Sequence, residues 1–162
     1  MRRTIKLLFA AVLAIAVMVA LAGAALAVAA KFHSATSSVN NDGALVVKFD
    51  ERGLGGGNID YTLTADSTAT YACINGGGNH PKATNKETVN GPVMGQGTFF
   101  TDKNGRVVNQ LSAGPISAGD FSCPSGQRLV LASVSYTNIV LTDTTNGTST
   151  TADDVSRTFF NL

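Results

Sequence analysis

The histidines are the first side chains to consider for acid–base chemistry, and the chain has two, His33 and His80. His80 lies in a glycine-rich stretch. Ser–His–Asp catalysis of the α/β-hydrolase type would place a serine in a Gly-x-Ser-x-Gly context, which the sequence lacks. We therefore expect His80 to be an exposed loop histidine. A small hydrolase or inhibitor that uses His80 is the competing hypothesis.

Two adjacent carboxylate pairs, Asp50-Glu51 and Asp153-Asp154, are the next candidates for acid–base work. Neighbouring residues of a β-strand point to opposite faces, so neither pair can act together on one substrate. Both pairs lie at the ends of predicted strands, where charged groups are ordinarily solvated. We expect all four carboxylates to be exposed to solvent.

Metal and cofactor motifs are present only as fragments. The segment 102–105, Asp-Lys-Asn-Gly, repeats the beginning of an EF-hand loop but lacks its later ligands. The glycine-rich segment 53–58 is followed by a predicted strand, whereas a dinucleotide-binding loop requires a helix there. We expect no metal and no cofactor.

The two cysteines, Cys73 and Cys123, could form one intramolecular disulfide if the chain is exported. The bridge would close a loop of about 50 residues, which the chain-entropy model values at roughly 4 kcal/mol. Two free thiols are the alternative. A zinc site is disfavoured because two lone cysteines without a nearby histidine do not make a ligand set.

The N-terminus has the layout of a secretion signal. Basic residues within the first six positions precede an uncharged run over residues 7–30 that ends in small-residue triplets. This pattern predicts a signal helix that is cleaved after Ala27, with cleavage possible up to Ala30. The run is also long enough to span a bilayer as an uncleaved anchor.

Removing the signal changes the charge of the chain. Loss of the three basic residues at the start turns the formal net charge from +1 to −2. The remaining basic residues are not clustered along the sequence, so we expect no nucleic-acid partner and, after cleavage, no membrane partner. Residues 28–43 are predicted to be a flexible N-terminal segment, and residues 44–162 a single domain.

The rest of the sequence predicts an all-β domain, because short alternating runs are separated by Gly, Asn and Asp. The predicted strands cover 44–49, 59–64, 68–74, 98–101, 106–111, 128–142 and 155–162. Asp66-Ser67 predicts a turn, Asn104-Gly105 predicts a hairpin, and the length of 128–142 predicts a bulge around 136–138. The last strand is expected to pair with the 128–142 run. About seven strands favour an antiparallel β-sandwich, with a barrel as the alternative.

The long stretch from 75 to 97 is rich in glycine and proline and begins directly after Cys73. Irregular connections of this length are often functional or mobile. We therefore take the stretch as the candidate binding loop, an unstructured insertion being the alternative. Its candidate contact residues are Asn75, Asn79, His80, Lys82, Asn85 and Lys86.

Two segments resemble parts of an immunoglobulin variable domain. Residues 66–73, Asp-Ser-Thr-Ala-Thr-Tyr-Ala-Cys, resemble the strand with the second cysteine, in which a tyrosine two residues earlier forms the tyrosine corner. Residues 95–98, Gly-Gln-Gly-Thr, resemble the start of the last strand. The chain has no tryptophan and no cysteine before Cys73. The resemblance therefore implies an immunoglobulin-like β-sandwich reached by convergence, without an antigen-binding role.

A second resemblance concerns the surroundings of both cysteines. Residues 73–81 together with residues 121–127 are similar to small exported bacterial β-proteins of uncharacterised function. This resemblance implies the fold and the disulfide, and it implies no activity.

These observations predict a secreted, non-enzymatic binding or structural module. Its partner would be an extracellular or cell-surface ligand, either protein or glycan, and an uncleaved N-terminus would tether it to the membrane. A carbohydrate-binding module is an alternative, which the absence of tryptophan disfavours. Tyr61, Tyr71 and Tyr136 all lie in predicted strands, and at least two are expected to be buried.

Overall fold

A computed structural model describes residues 29–75 and 85–162, which form eight β-strands in two antiparallel sheets. The strands are β1 (Lys31–Val39), β2 (Leu45–Arg52), β3 (Asn58–Asn75), β4 (Lys86–Phe100), β5 (Arg106–Ala113), β6 (Gln127–Asp143), β7 (Thr148–Thr151) and β8 (Val155–Thr158). Within these ranges, no helix is long and apolar enough to cross a membrane. The predicted signal helix lies outside the described residues.

The three-stranded sheet has the order β1–β2–β5, and the five-stranded sheet has the order β4–β3–β6, with β7 and β8 both pairing with β6. The prediction of an all-β domain is confirmed. Both sheets contribute alternate residues to one core, because every second side chain of a strand points to the same face. An aromatic cluster of Phe32, Phe49, Tyr61 and Phe99 joins the sheets, with ring centroids 4.8–6.3 Å apart.

The predicted turn at Asp66-Ser67 is wrong, because β3 runs without interruption through both residues. Asp66 points to solvent, and Ser67 is 1% exposed inside the core. The inward positions on either side of Ser67 are Ala65 and Ala69. Small residues at this part of the core gave the segment the composition of a turn.

The Asn104-Gly105 pair forms a turn but not a hairpin. The Gly105 amide donates to the Asp102 carbonyl oxygen (3.0 Å), and Gly105 has φ +67°, which glycine adopts without strain. The strands on either side belong to different sheets, however, since β4 pairs with β3 and β5 pairs with β2. The turn sequence determines the local reversal, whereas the apolar faces of the strands determine which sheet each one joins.

The long strand β6 confirms the predicted bulge. Thr64 pairs with Val140 and Asp66 pairs with Thr137, so two residues of β6 face one residue of β3. Asn138, one of those two, has φ +52°. β8 pairs antiparallel with β6, also as expected. The connection before β8 additionally contains β7, which pairs with β6.

The expectation of a flexible segment over 28–43 is wrong, because residues 31–39 form β1 and pair with β2. Phe32 anchors the strand in the core with its ring 6.1 Å from that of Phe49. His33 is exposed at a register irregularity between Phe32 and Ser34. The serines and threonines that indicated a linker are largely the outward side of an edge strand.

Candidate functional site

The predicted binding loop is shorter than the sequence suggested. Lys86 is the first residue of β4, so residues 86–97 form a strand and the loop prediction is wrong for them. Asn75 ends β3 with an exposed side chain, and the Asn85 side-chain amide donates to Gln127 Oε1 (3.3 Å). Asn79, His80 and Lys82 lie outside the described residues.

The glycines of β4 explain why this strand was taken for a loop. Gly91, Gly95 and Gly97 all lie on its inward side. A Cβ at Gly95 would overlap the carbonyl oxygen of Ser112 on β5. Glycine is needed here because two backbones approach each other closely. A single sequence does not distinguish this role of glycine from its role in a loop.

The predicted disulfide between Cys73 and Cys123 is confirmed, with the two Cα atoms 5.5 Å apart. It joins the end of β3 to the irregular connection 114–126 between β5 and β6. The Tyr71 hydroxyl donates to the Ile116 carbonyl oxygen (2.7 Å) in the same connection. This bond reaches 45 residues downstream, whereas a tyrosine corner bonds to the backbone a few residues upstream.

Serine and threonine side chains dominate the outer face of the five-stranded sheet. Strand register aligns them in rows that cross four strands. One row is Thr88–Thr70–Ser133–Thr158, and the next is Asn90–Thr68–Ser135–Ser156. We call these eight residues the hydroxyl face. Its members come from four strands, two from each, and these strands are separated along the chain, so the rows exist only in the folded sheet.

The hydroxyl face is accessible and polar. Thr68, Thr88 and Thr158 are exposed, and Ser133 and Ser135 are half-buried between neighbouring strands. The hydroxyls of Thr70 and Thr88 are 3.0 Å apart and hydrogen-bonded. Two shallow grooves lie over the rows, with volumes of about 250 and 320 Å³. The larger groove is bordered by Lys86, Phe160, Asn161 and Leu162.

A buried acidic group lies at the opposite end of the sheets from the disulfide. Glu51 of β2 and Asp143 of β6 are both 0% exposed, which corrects the expectation that Glu51 is solvated. Thr148 donates to Glu51 Oε1 (2.8 Å), while Glu51 Oε2 and the Tyr61 hydroxyl lack a hydrogen bond of normal geometry. Burial raises the pKa of Glu51, and the nearby Asp143 carboxylate raises it further.

Asp143 is satisfied by the turn that follows it. Its Oδ1 accepts the amides of Thr145 (2.8 Å) and Asn146 (2.9 Å), and its Oδ2 accepts the Asn146 side-chain amide (2.6 Å). The cluster of Glu51, Asp143 and Tyr61 is therefore a part of the fold that positions β7. It has no opening to solvent through which a substrate could reach Glu51, which is fully buried.

Comparisons of the chain with protein-family models, with curated proteins and with solved structures find no match. Within 29–75 and 85–162, no group of three or more His, Cys, Asp or Glu side chains could hold a metal ion. The alternation of threonine in β3 was visible in the sequence, but its alignment with β4, β6 and β8 was not.

Proposed function

We propose that this protein is a secreted, non-enzymatic binding module, and that the hydroxyl face is its contact surface for a neutral, polyhydroxylated polymer such as a glycan. The proposal includes export through the N-terminal signal and an immunoglobulin-like β-sandwich as the scaffold. The observation that carries it is the strand register that aligns Thr68 with Ser135 and Thr70 with Ser133.

Hydroxyl groups suit such a ligand because each one can both donate and accept a hydrogen bond. A sugar ring presents the same mixed chemistry, so the rows can satisfy its hydroxyls without a fixed order of donors and acceptors. Neighbouring strands lie about 4.8 Å apart, which places the hydroxyls of one row at regular intervals across the sheet. The regular spacing favours an extended polymer over a small molecule in a closed pocket.

The hydroxyl face also carries little charge. Its eight residues are all neutral, and the nearest acid in register, Asp66, holds its carboxylate 2.7 Å from the Asn138 side-chain amide. None of the eight residues is aromatic, so each of their contacts is weak. Affinity would then depend on many repeats of the polymer contacting the rows at once.

The proposal is tested by binding to cellulose, chitin and mannan, with the double variant Thr68→Val and Ser135→Ala. Thr→Val keeps the shape of the side chain and removes only the hydroxyl. Loss of two hydrogen bonds of about 1 kcal/mol each predicts binding at least tenfold weaker to whichever polysaccharide the wild type retains.

The matched control is Thr36→Val, which removes an exposed hydroxyl from the outer face of the three-stranded sheet. It should bind as the wild type does. Failure of the wild type to bind any of the three polysaccharides would overturn the proposal. So would a double variant that binds normally while deletion of residues 76–84 abolishes binding, a result that would assign the contact to the predicted loop.

A further inference from the structure

The outer face of the three-stranded sheet carries a concentration of positive charge. Lys31 pairs with Arg52, and Arg52 pairs with Arg106, so the three form one row across β1, β2 and β5. Lys48 lies on the same face of β2 and is exposed. We call these four residues the basic face.

One acid, Asp50, lies within the basic face and organises it. Both guanidinium groups bind it in bidentate fashion, with Arg106 at 2.8 and 2.9 Å and Arg52 at 2.8 and 3.3 Å. The side chain of Asp50 is 14% exposed, against 48% for Arg52 and 41% for Arg106. The acid is thus covered by the cations, and the five charged residues together present a net positive charge.

The shared carboxylate leaves part of each guanidinium available. Each arginine donates to Asp50 through Nε and Nη2, so the Nη1 protons of both remain directed away from the Asp50 contact. Planar guanidinium groups held in place in this way are suited to bidentate binding of phosphate oxygens. Val108, which is 60% exposed, lies beside Asp50 in register and adds an apolar contact to the face.

Asp102, in the turn before β5, is the acid closest in sequence to Arg106. Its Oδ1 accepts the amides of Asn104 (2.8 Å) and Arg106 (3.0 Å), so its carboxylate is engaged in the turn. The exposed Lys103 follows it directly. This turn therefore leaves the net charge of the surface nearly unchanged.

The fold brings together cations that the sequence keeps apart, which is why the sequence predicted no anionic-membrane partner. The position of the face relative to the N-terminus suggests its occupant. The uncharged apolar run over residues 7–30 ends directly before Lys31, the first residue of β1 and a member of the basic face. The segment predicted to take the chain to a membrane therefore ends next to this surface in the sequence, without an intervening linker.

We propose that the basic face docks onto anionic phospholipid headgroups, so that the domain lies against the membrane surface with the hydroxyl face turned away from it. The two faces belong to different sheets and point in opposite directions, so both contacts can form at once. The docking does not require the glycan-binding proposal to be right.

The first test is sedimentation of the exported form, residues 28–162, with phosphatidylcholine vesicles that contain or lack phosphatidylglycerol. Each cation near an anionic surface contributes about fivefold in affinity, so Lys48→Gln with Arg52→Gln should weaken binding roughly 25-fold. The matched control is Lys86→Gln with Arg128→Gln, a change of equal charge at exposed residues outside the basic face. The control should bind within about threefold of the wild type, and added salt should weaken binding in both.

A second variant separates docking from loss of fold. Asp50→Asn removes the acid that offsets the two arginines, so it should strengthen binding to anionic vesicles by about fivefold. The same change removes two ion pairs, so it should not stabilise the protein. If Asp50 only stabilised the fold, Asp50→Asn would not bind anionic vesicles more tightly than the wild type while being equally or less stable.

In the full chain, labelling by an amine-reactive reagent reports the orientation of the domain. In anionic vesicles Lys48 should be protected relative to Lys86, and in neutral vesicles it should not. Equal binding of the wild type to both kinds of vesicle, normal binding by the Lys48/Arg52 variant, or weaker binding by Asp50→Asn would each overturn the proposal. Binding to soluble polyphosphate without binding to anionic vesicles would also overturn it and would assign the face to a soluble polyanion.

Discussion

Asp50 and Glu51 are neighbours in β2, and their carboxylates lie on opposite faces of the same sheet. Asp50 points outward between two arginines, and hydrogen bonds from Arg106 and Arg52 hold its pKa well below the usual range. Glu51 points into the interior, is 0% exposed, and has a pKa raised by burial. One peptide unit thus separates an acid whose pKa is lowered by its surroundings from an acid whose pKa is raised by them.

Glu51→Gln is expected to change how stability depends on pH. Because burial raises the pKa of Glu51, the folded chain binds this proton more tightly than the unfolded chain does. The stabilising contribution is complete below the unfolded pKa of about 4.3 and is lost as pH rises through the folded pKa. Glutamine cannot ionise, so the variant should gain stability relative to the wild type as pH rises above the unfolded pKa. The gain is limited to about 1.4 kcal/mol per pH unit and is measured by urea unfolding.

Asp50→Asn is the matched control for this experiment. The lowered pKa of Asp50 means that its contribution is present above an unfolded pKa of about 3.9 and is lost only as pH falls through the folded pKa. The variant should therefore show a constant difference from the wild type between about pH 5 and pH 8, on the order of 1 kcal/mol for partly exposed ion pairs. If Glu51→Gln also differs from the wild type by a constant amount, Glu51 does not titrate in this range.

The sequence predicted the features that depend on local composition or on the single possible pairing of two cysteines. The bulge at Asn138 and the bridge between Cys73 and Cys123 belong to this class, since strand length and cysteine number each left few alternatives. The features that depend on which strands become neighbours were not predicted. The alignment of Thr70 with Ser133 and the clustering of Lys31 with Arg106 require a register that no short segment encodes.

Removal of the disulfide by Cys73→Ser with Cys123→Ser should lower the free energy of unfolding by roughly 4 kcal/mol, the value for a closed loop of about 50 residues. The cause is the larger conformational freedom of the unfolded chain once the connection 114–126 is no longer tied to β3. Thermal unfolding of the double variant beside the wild type measures the effect. An unchanged melting temperature would mean that the contacts around Tyr71 alone restrain the connection.

Tyr71→Phe and Tyr136→Phe test two long-range hydroxyl contacts of different burial. The Tyr71 hydroxyl donates to Ile116 (2.7 Å) and is half-buried, whereas the Tyr136 hydroxyl donates to Gly43 (2.6 Å) and is buried. Loss of the first donor should cost about 1 kcal/mol, and loss of the second should cost about 1–3 kcal/mol because it leaves a buried carbonyl without this donor. Urea unfolding gives both values. Equal costs would indicate that water replaces the Tyr136 hydroxyl.

Gly95→Ala should be among the most destabilising single-methyl changes in the protein. The added Cβ would overlap the Ser112 carbonyl oxygen, and this oxygen and the Gly95 Cα that carries the Cβ both belong to backbones held in sheets. Neither strand can move alone, because β4 is paired with β3 along its whole length and β5 is paired with β2. Overpacking of this kind costs about 1–3 kcal/mol, and a backbone neighbour places the value at the upper end.

Gly55→Ala is the matched control, since nothing lies within 4 Å of the position a Cβ would take there. The same added methyl group should leave stability unchanged or raise it slightly by restricting the unfolded chain. Thermal unfolding of the two variants separates close packing from the general effect of replacing glycine. If Gly95→Ala were tolerated as well as Gly55→Ala, the two sheets would have to be further apart at this edge than the contact between Gly95 and Ser112 requires.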